Sequence, residues 1–144
     1  MPLTNFGAIL NFAEMVERDD MEFYRRAAFT EAAAPHRDLF EAFAKEGGKN
    51  ILTVQRTRRE NVTEMILEPI RGFVRDSYQE TVEDPAGKGP AAILAAAISL
   101  EKRAMRYYSD AAEKIRALPE VSRVLKTLAK KRSKRLEHLH HLLP

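Results

Sequence analysis

The stretch AEMVERDDMEFYRRAA, residues 13–28, returns in the second half of the chain as AISLEKRAMRYYSDAA, residues 97–112. Set at an offset of 84 residues, the two match at Ala13/Ala97, Glu17/Glu101, Met21/Met105, Tyr24/Tyr108, Ala27/Ala111 and Ala28/Ala112. An offset of 85 places Phe40 over Leu125, Phe43 over Leu128, Ala44 over Ala129, Lys45 over Lys130 and Ile51 over Leu136. Both alignments join segments whose apolar residues recur at three and four spacing, the helical period. The chain therefore reads as two related helical hairpins, and an all-α bundle follows.

Working outward, helix 1 is predicted from about Asn5 to about Glu31, with Thr4 or Asn5 able to cap its first amides. Pro35 in AAAPHRD breaks it and suits the first turn of helix 2, predicted from Pro35 to Asn61. Residues 62–90, with Pro69, Pro85 and Pro90, are too long for a simple turn and read as a crossover with a short helix inside. Such a connection is expected to start helix 3 at the same end as helix 1. Helix 3 is predicted from Pro90 to Ala117; Pro119 makes a tight corner, so helix 4, from 119 to 142, lies antiparallel to it. At 144 residues one domain is expected.

Turning each residue by about 100° shows what the helices bury. On helix 1, Phe6, Ile9, Val16, Glu17, Asp20, Tyr24 and Ala27 share one face, so two acids point inward. On helix 3, Ile93, Leu100, Glu101, Ala104, Tyr108, Ala111 and Ile115 do the same. On helix 4, Val121, Leu125, Leu128, Arg132, Leu136, Leu139 and Leu143 form the stripe; Arg132 is near its midline and Arg135 toward its edge. Buried carboxylates need a cation or a proton, and the forked guanidinium of Arg132 suits that need. Tyr24 and Tyr108 are expected as core residues whose hydroxyls bond the acids. In helix 2, Gly47 and Gly48 interrupt FEAFAKEGGKNILTVQ, residues 40–55, at a cost of roughly 1 kcal/mol each against alanine, which asks for a packing reason.

FAEMVERDDMEFYRRAA, LFEAFAKEGGKNIL, AISLEKRAMRYYSDAA and VLKTLAKKRSKRLEHL together resemble the four helices of the rubrerythrin branch of the ferritin-like superfamily. The resemblance implies a ferritin-like, left-handed antiparallel four-helix bundle, a homodimer, and a di-iron site; the chain itself is expected to be cytoplasmic. The site would use one Glu on each of helices 1 and 3 and a Glu-x-x-His pair on each of helices 2 and 4. Glu17 and Glu101 match the first kind of ligand; the pairs are replaced by Gly47 and Asn50 and by Arg132 and Arg135. A guanidinium stays protonated and cannot ligate iron. The leading expectation is therefore a degenerate site without cofactor, in a non-catalytic binding or structural bundle whose protein partner is unknown. Gly47 for Glu is read as freeing volume opposite Arg132, and Gly48 as a close helix contact.

The alternative expectation is an iron-dependent oxidase, peroxidase or iron-handling protein that keeps Glu17, Glu101 and Asp20 or Glu46 as oxygen ligands while Arg132 swings out. Glu137 and His140 have Glu-x-x-His spacing but lie five residues late, on the surface end of helix 4. His138 and His141 there could share zinc or nickel incidentally, and His36 is expected to face solvent.

Without cysteine, disulfides, thiolate metal sites and cysteine nucleophiles are excluded. No run of about 18 apolar residues and no leader pattern suggest a membrane or export, which leads to the expectation of a soluble, intracellular protein. Residues 1–88 carry 12 Lys/Arg against 16 Asp/Glu, or −4, and residues 89–144 carry 12 against 5, or +7. That basic third invites a nucleic-acid reading, but it lacks interleaved aromatics and any nucleic-acid motif, so only nonspecific, salt-sensitive contact is expected.

Overall fold

A computed structural model of the protein describes residues 6–61, 73 and 75–143. Four helices dominate it: α1 Phe6–Ala28, α2 Arg37–Glu60, α3 Pro90–Lys114 and α4 Pro119–His141. Short 3₁₀ turns cover Ala34–His36 and Arg75–Ser77, and no strand occurs among the described residues. None of these helices is long and apolar enough to cross a membrane.

The starts of α3 and α4 follow from proline at the first turn, where a missing N–H is harmless and the fixed φ is already helical. The end of α1 comes three residues earlier than expected. Thr30 explains it: its hydroxyl donates to the Ala27 carbonyl at 2.7 Å and accepts from the Ala33 amide at 3.2 Å, offering the backbone an alternative to the helix. Pro35 then sits in the 3₁₀ turn, so α2 begins at Arg37, whose Nε donates to the Ala28 carbonyl at 2.7 Å and ties the two helix ends together. At the other corner α3 stops at Lys114, short of Ala117, and the Leu118 amide closes the turn on the Ile115 carbonyl. The expected cap at Thr4 or Asn5 lies outside the described residues, as do residues 62–72 and 74 of the crossover. Its described part is tied to α3 at several points, with Ser99 donating to Glu80 at one of them. The Tyr78 hydroxyl donates to Asp110, Arg103 donates to the Tyr78 carbonyl, and Arg106 donates to the Ser77 carbonyl.

The helices form two hairpins, α1 with α2 and α3 with α4, and α1 also neighbours α3 while α2 neighbours α4. The Tyr107 hydroxyl reaches the Ile9 carbonyl near the start of α1, while Tyr24, near its end, bonds Glu101. Helix α3 is thus antiparallel to α1 and begins beside its end. The expectation that it starts at the same end as α1 is corrected: α2 already returns the chain to that end. The crossover then carries it back along the bundle before α3 begins. Twenty-nine residues easily span the roughly 36 Å of a 24-residue helix.

The core is split into two apolar layers. One gathers Phe6, Ile9, Phe12, Val16, Tyr107, Ile115 and Leu125. The other gathers Phe23, Phe40, Phe43, Ile93, Leu100 and Leu139. All the inward positions predicted on α1 and α3 are buried. On α4 the stripe is shorter than expected, because Leu143 lies past the helix end and is 46% exposed.

Candidate functional site

Between the two apolar layers lies a charged one. Glu17, Asp20 and Glu101 are buried together with Arg103, Arg132 and Arg135, three carboxylates against three guanidiniums. Helical spacing places each: Glu17 and Asp20 lie three residues apart on one face of α1, and Arg132 and Arg135 do the same on α4.

Arg132 is the hub and has no exposed surface. Its Nη1 donates to Asp20 Oδ2 at 2.7 Å and to Glu101 Oε1 at 3.0 Å, and its Nη2 donates to Glu17 Oε2 at 2.8 Å. Arg103 gives Asp20 a second partner, from Nη2 to Oδ1 at 2.8 Å. Arg135, expected near the edge, is drawn inside. Its Nε bonds Glu46 at 2.8 Å, its Nη1 approaches Glu101 Oε2 at 3.5 Å, and its guanidinium lies 5.1 Å from the centre of the Phe43 ring. The Nε atoms of Arg103 and Arg132 are buried with no partner among the described residues.

The internal repeat is visible in the bonding. Tyr24 donates to Glu101, and Tyr108, its counterpart at an offset of 84, donates to Glu17, the counterpart of Glu101. Likewise Asn50 donates to Glu17 at 3.2 Å, as Arg135, its counterpart at an offset of 85, does to Glu101. The halves differ where charge was needed: Asp20 faces Ala104 across the offset, Gly47 faces Arg132, and Asn50 faces Arg135.

Burial pushes the Glu17 carboxyl up, but Arg132 beside it and the Tyr108 hydroxyl outweigh that and hold it below the usual carboxylate range. For Asp20 burial prevails. Arg132 and Arg103 offset it only in part, while Glu101 and Glu17 add repulsion, and the carboxyl is raised to about 6. Burial and the adjacent glutamates push the Tyr24 and Tyr108 hydroxyls far up, so both are donors. Burial alone would lower Arg132, yet its three carboxylates raise it, so it stays charged.

Two expectations change in detail. A Cβ on Gly47 would lie 3.1 Å from Met21 Cβ and 3.4 Å from Met21 Cγ, so the nearest neighbour is α1. Gly47 is needed for the close approach of α1 and α2, and the idea that its missing side chain makes room for Arg132 is replaced by this contact. At Gly48 the nearest atom is Met21 Sδ, at an ordinary 3.9 Å, so the close contact expected there belongs to Gly47. His36, expected in solvent, is half-buried with its ring 6.4 Å from that of Phe40. His138, His140 and His141 are exposed at the end of α4.

Arg103 is the member that helix-wheel reasoning missed. It was detectable by charge counting, because three inward acids against Arg132 and Arg135 leave one negative charge unmatched.

Among the described residues no group of three His, Asp or Glu side chains is arranged to hold a metal ion. The donor set does not fit iron. All three carboxylates are engaged by the central guanidinium, no imidazole approaches, and Glu46 is bonded to Arg135 at the rim, its side chain 39% exposed. What the layer does chemically is neutralise itself: Glu17, Asp20 and Glu101 each have a cation, and the two buried glutamates each have a tyrosine donor. Comparison of the chain with protein-family models, with curated proteins and with solved structures returns no match.

Proposed function

We infer that the chain is a ferritin-like bundle of rubrerythrin type in which a di-iron centre has given way to an arginine–carboxylate layer, and that it works without metal as a binding or structural component. The single observation carrying this reading is Arg132, one guanidinium within 3.0 Å of oxygens from Glu17, Asp20 and Glu101. A cation built into the chain holds the acids that would otherwise need a metal. Such a layer need not stabilise the fold more than apolar packing would; its effect is to make the register of four helices depend on matched charges. The paired bonding of the two halves supports the same view, since a duplicated hairpin sharing one central site explains why Glu17 and Glu101 remain.

The test is metal analysis of untagged protein followed by anaerobic Fe(II) titration. No tight, stoichiometric binding is expected. Binding of about two irons per chain, followed by reaction with oxygen or peroxide, would overturn the reading. Arg132→Glu combined with Arg135→His restores a Glu-x-x-His pair on α4, and iron binding that appears only in this variant would support a vestigial site.

A further inference from the structure

Residues 121–136 of α4 contain no acid, and in residues 45–59 of α2 the only one is Glu46, which Arg135 engages. These stretches lie side by side. Asn50 receives a bond from Lys131 and Glu46 one from Arg135, so α2 and α4 run antiparallel with Lys49 level with Arg132. On α2 the α1-facing side is marked by Gly47 against Met21 and by the bond from Arg58 to Asn11. Turning about 100° per residue from there brings Lys45, Lys49 and Arg56 to the opposite side, all exposed. On α4 the α3-facing side is marked by Ser122, which bonds the Ala112 carbonyl, and the side turned away from it carries Lys131 and exposed Lys134. The result is a two-row basic band about 17 Å long between Lys45 and Arg56. The other broad face differs: Asp19, Glu22, Glu80, Glu83 and Asp84 gather there, around α1 and the crossover.

The geometry points to this α2–α4 face as a docking surface for the phosphate backbone of double-stranded nucleic acid, read without regard to sequence. Lysines on flexible stems suit phosphates as point charges. The band holds no aromatic side chain on which unpaired bases could stack, which disfavours a single strand. Among the described residues its one exposed large apolar neighbour is Leu52, too little for the desolvated core of a protein interface. Among the described residues no helix projects from it to enter a groove, so the contact is with the backbone and not with base edges. This surface deepens the binding role inferred above by naming a partner, and it stands apart from the buried layer; iron uptake would overturn the earlier reading and leave this one intact.

Fluorescence anisotropy of the full chain with a random-sequence DNA duplex of about 20 base pairs tests it. With about five phosphates neutralised, affinity should fall about 500-fold between about 50 and 200 mM salt. Reversing Lys49, Arg56 and Lys134 to Glu should weaken binding at low salt by more than about thirtyfold. Reversing Arg26, Lys88 and Lys102, which lie among the acids of the other face, changes net charge equally and should change affinity by less than about threefold if the band is the site. Circular dichroism confirms that both variants fold. Equal losses in the two variants, no binding of the parent at low salt, tighter binding of single-stranded DNA, or equal binding of polyglutamate would each overturn the assignment.

Discussion

Replacing Arg132 by Met removes the hub of the buried layer and does not damage its three acids equally. Asp20 keeps Arg103 at 2.8 Å, and Glu101 keeps Arg135 at 3.5 Å. Glu17 keeps only the neutral donors Tyr108 and Asn50 and becomes a carboxylate with no ion-pair partner. Breaking a buried pair in this way costs about 3–5 kcal/mol, a large share of the roughly 5–15 kcal/mol that holds a domain together. At about 3 °C per kcal/mol, Tm should fall by roughly 10–15 °C. Adding Glu17→Gln restores two acids against two bases, and the amide can still bond Tyr108 and Asn50. The double variant should recover about 2 kcal/mol relative to the sum of the single ones, a coupling typical of touching residues. Asp20→Asn or Glu101→Gln in the same background should recover less, because each strips a partner from Arg103 or Arg135 and leaves Glu17 stranded. Urea unfolding followed by far-UV circular dichroism near neutral pH measures all four corners of each cycle. Additivity within about 0.5 kcal/mol, or equal rescue by all three acids, would refute the pairing scheme.

Asp20 gives the layer a pH signature. Because its carboxyl is raised to about 6 in the fold, the native state holds a proton that the unfolded chain has already lost between about pH 4 and 6. Its contribution to stability is full below about pH 4 and is lost as pH rises through about 6. Relative to Asp20→Asn, the parent should therefore gain roughly 1.4 kcal/mol between about pH 8 and pH 5, and parallel stability profiles would contradict this. Gly47→Ala should destabilise by about 1 kcal/mol, since the new methyl meets Met21 Cβ at 3.1 Å and overpacking outweighs helix propensity. Gly48→Ala meets only the end of Met21 at 3.9 Å and should stabilise by about as much; chemical denaturation of both variants compares them. All four tyrosines, Tyr24, Tyr78, Tyr107 and Tyr108, have hydroxyls pushed up by burial. No phenolate absorbance should appear on raising pH until the protein unfolds, and a normal titration of any of them would show that its hydroxyl reaches water.

The amino-acid sequence alone determined the helical class, the hairpin repeat and the inward direction of Glu17, Asp20, Glu101 and Arg132. These properties depend on the 3.6-residue period and the internal offset, which are local and periodic. Tertiary structure decided what periodicity cannot carry. Helix ends moved by a few residues because the Thr30 hydroxyl bonds the Ala27 carbonyl at the end of α1 and Arg37 reaches across the corner to the Ala28 carbonyl. The direction of α3 was set by the path of the crossover, and a helix wheel has no information about which end of the bundle a helix enters. Arg103 and Arg135 joined the layer because long side chains are recruited by charge from positions beyond the apolar stripe, and the wheel places only the Cβ. Gly47 depended on how closely α1 and α2 approach at Met21, a distance that emerges only when two helix faces are docked. The band of cations on α2 and α4 has the same origin. Its residues lie some 80 positions apart in the chain and become one surface only because the two helices pack antiparallel, side by side.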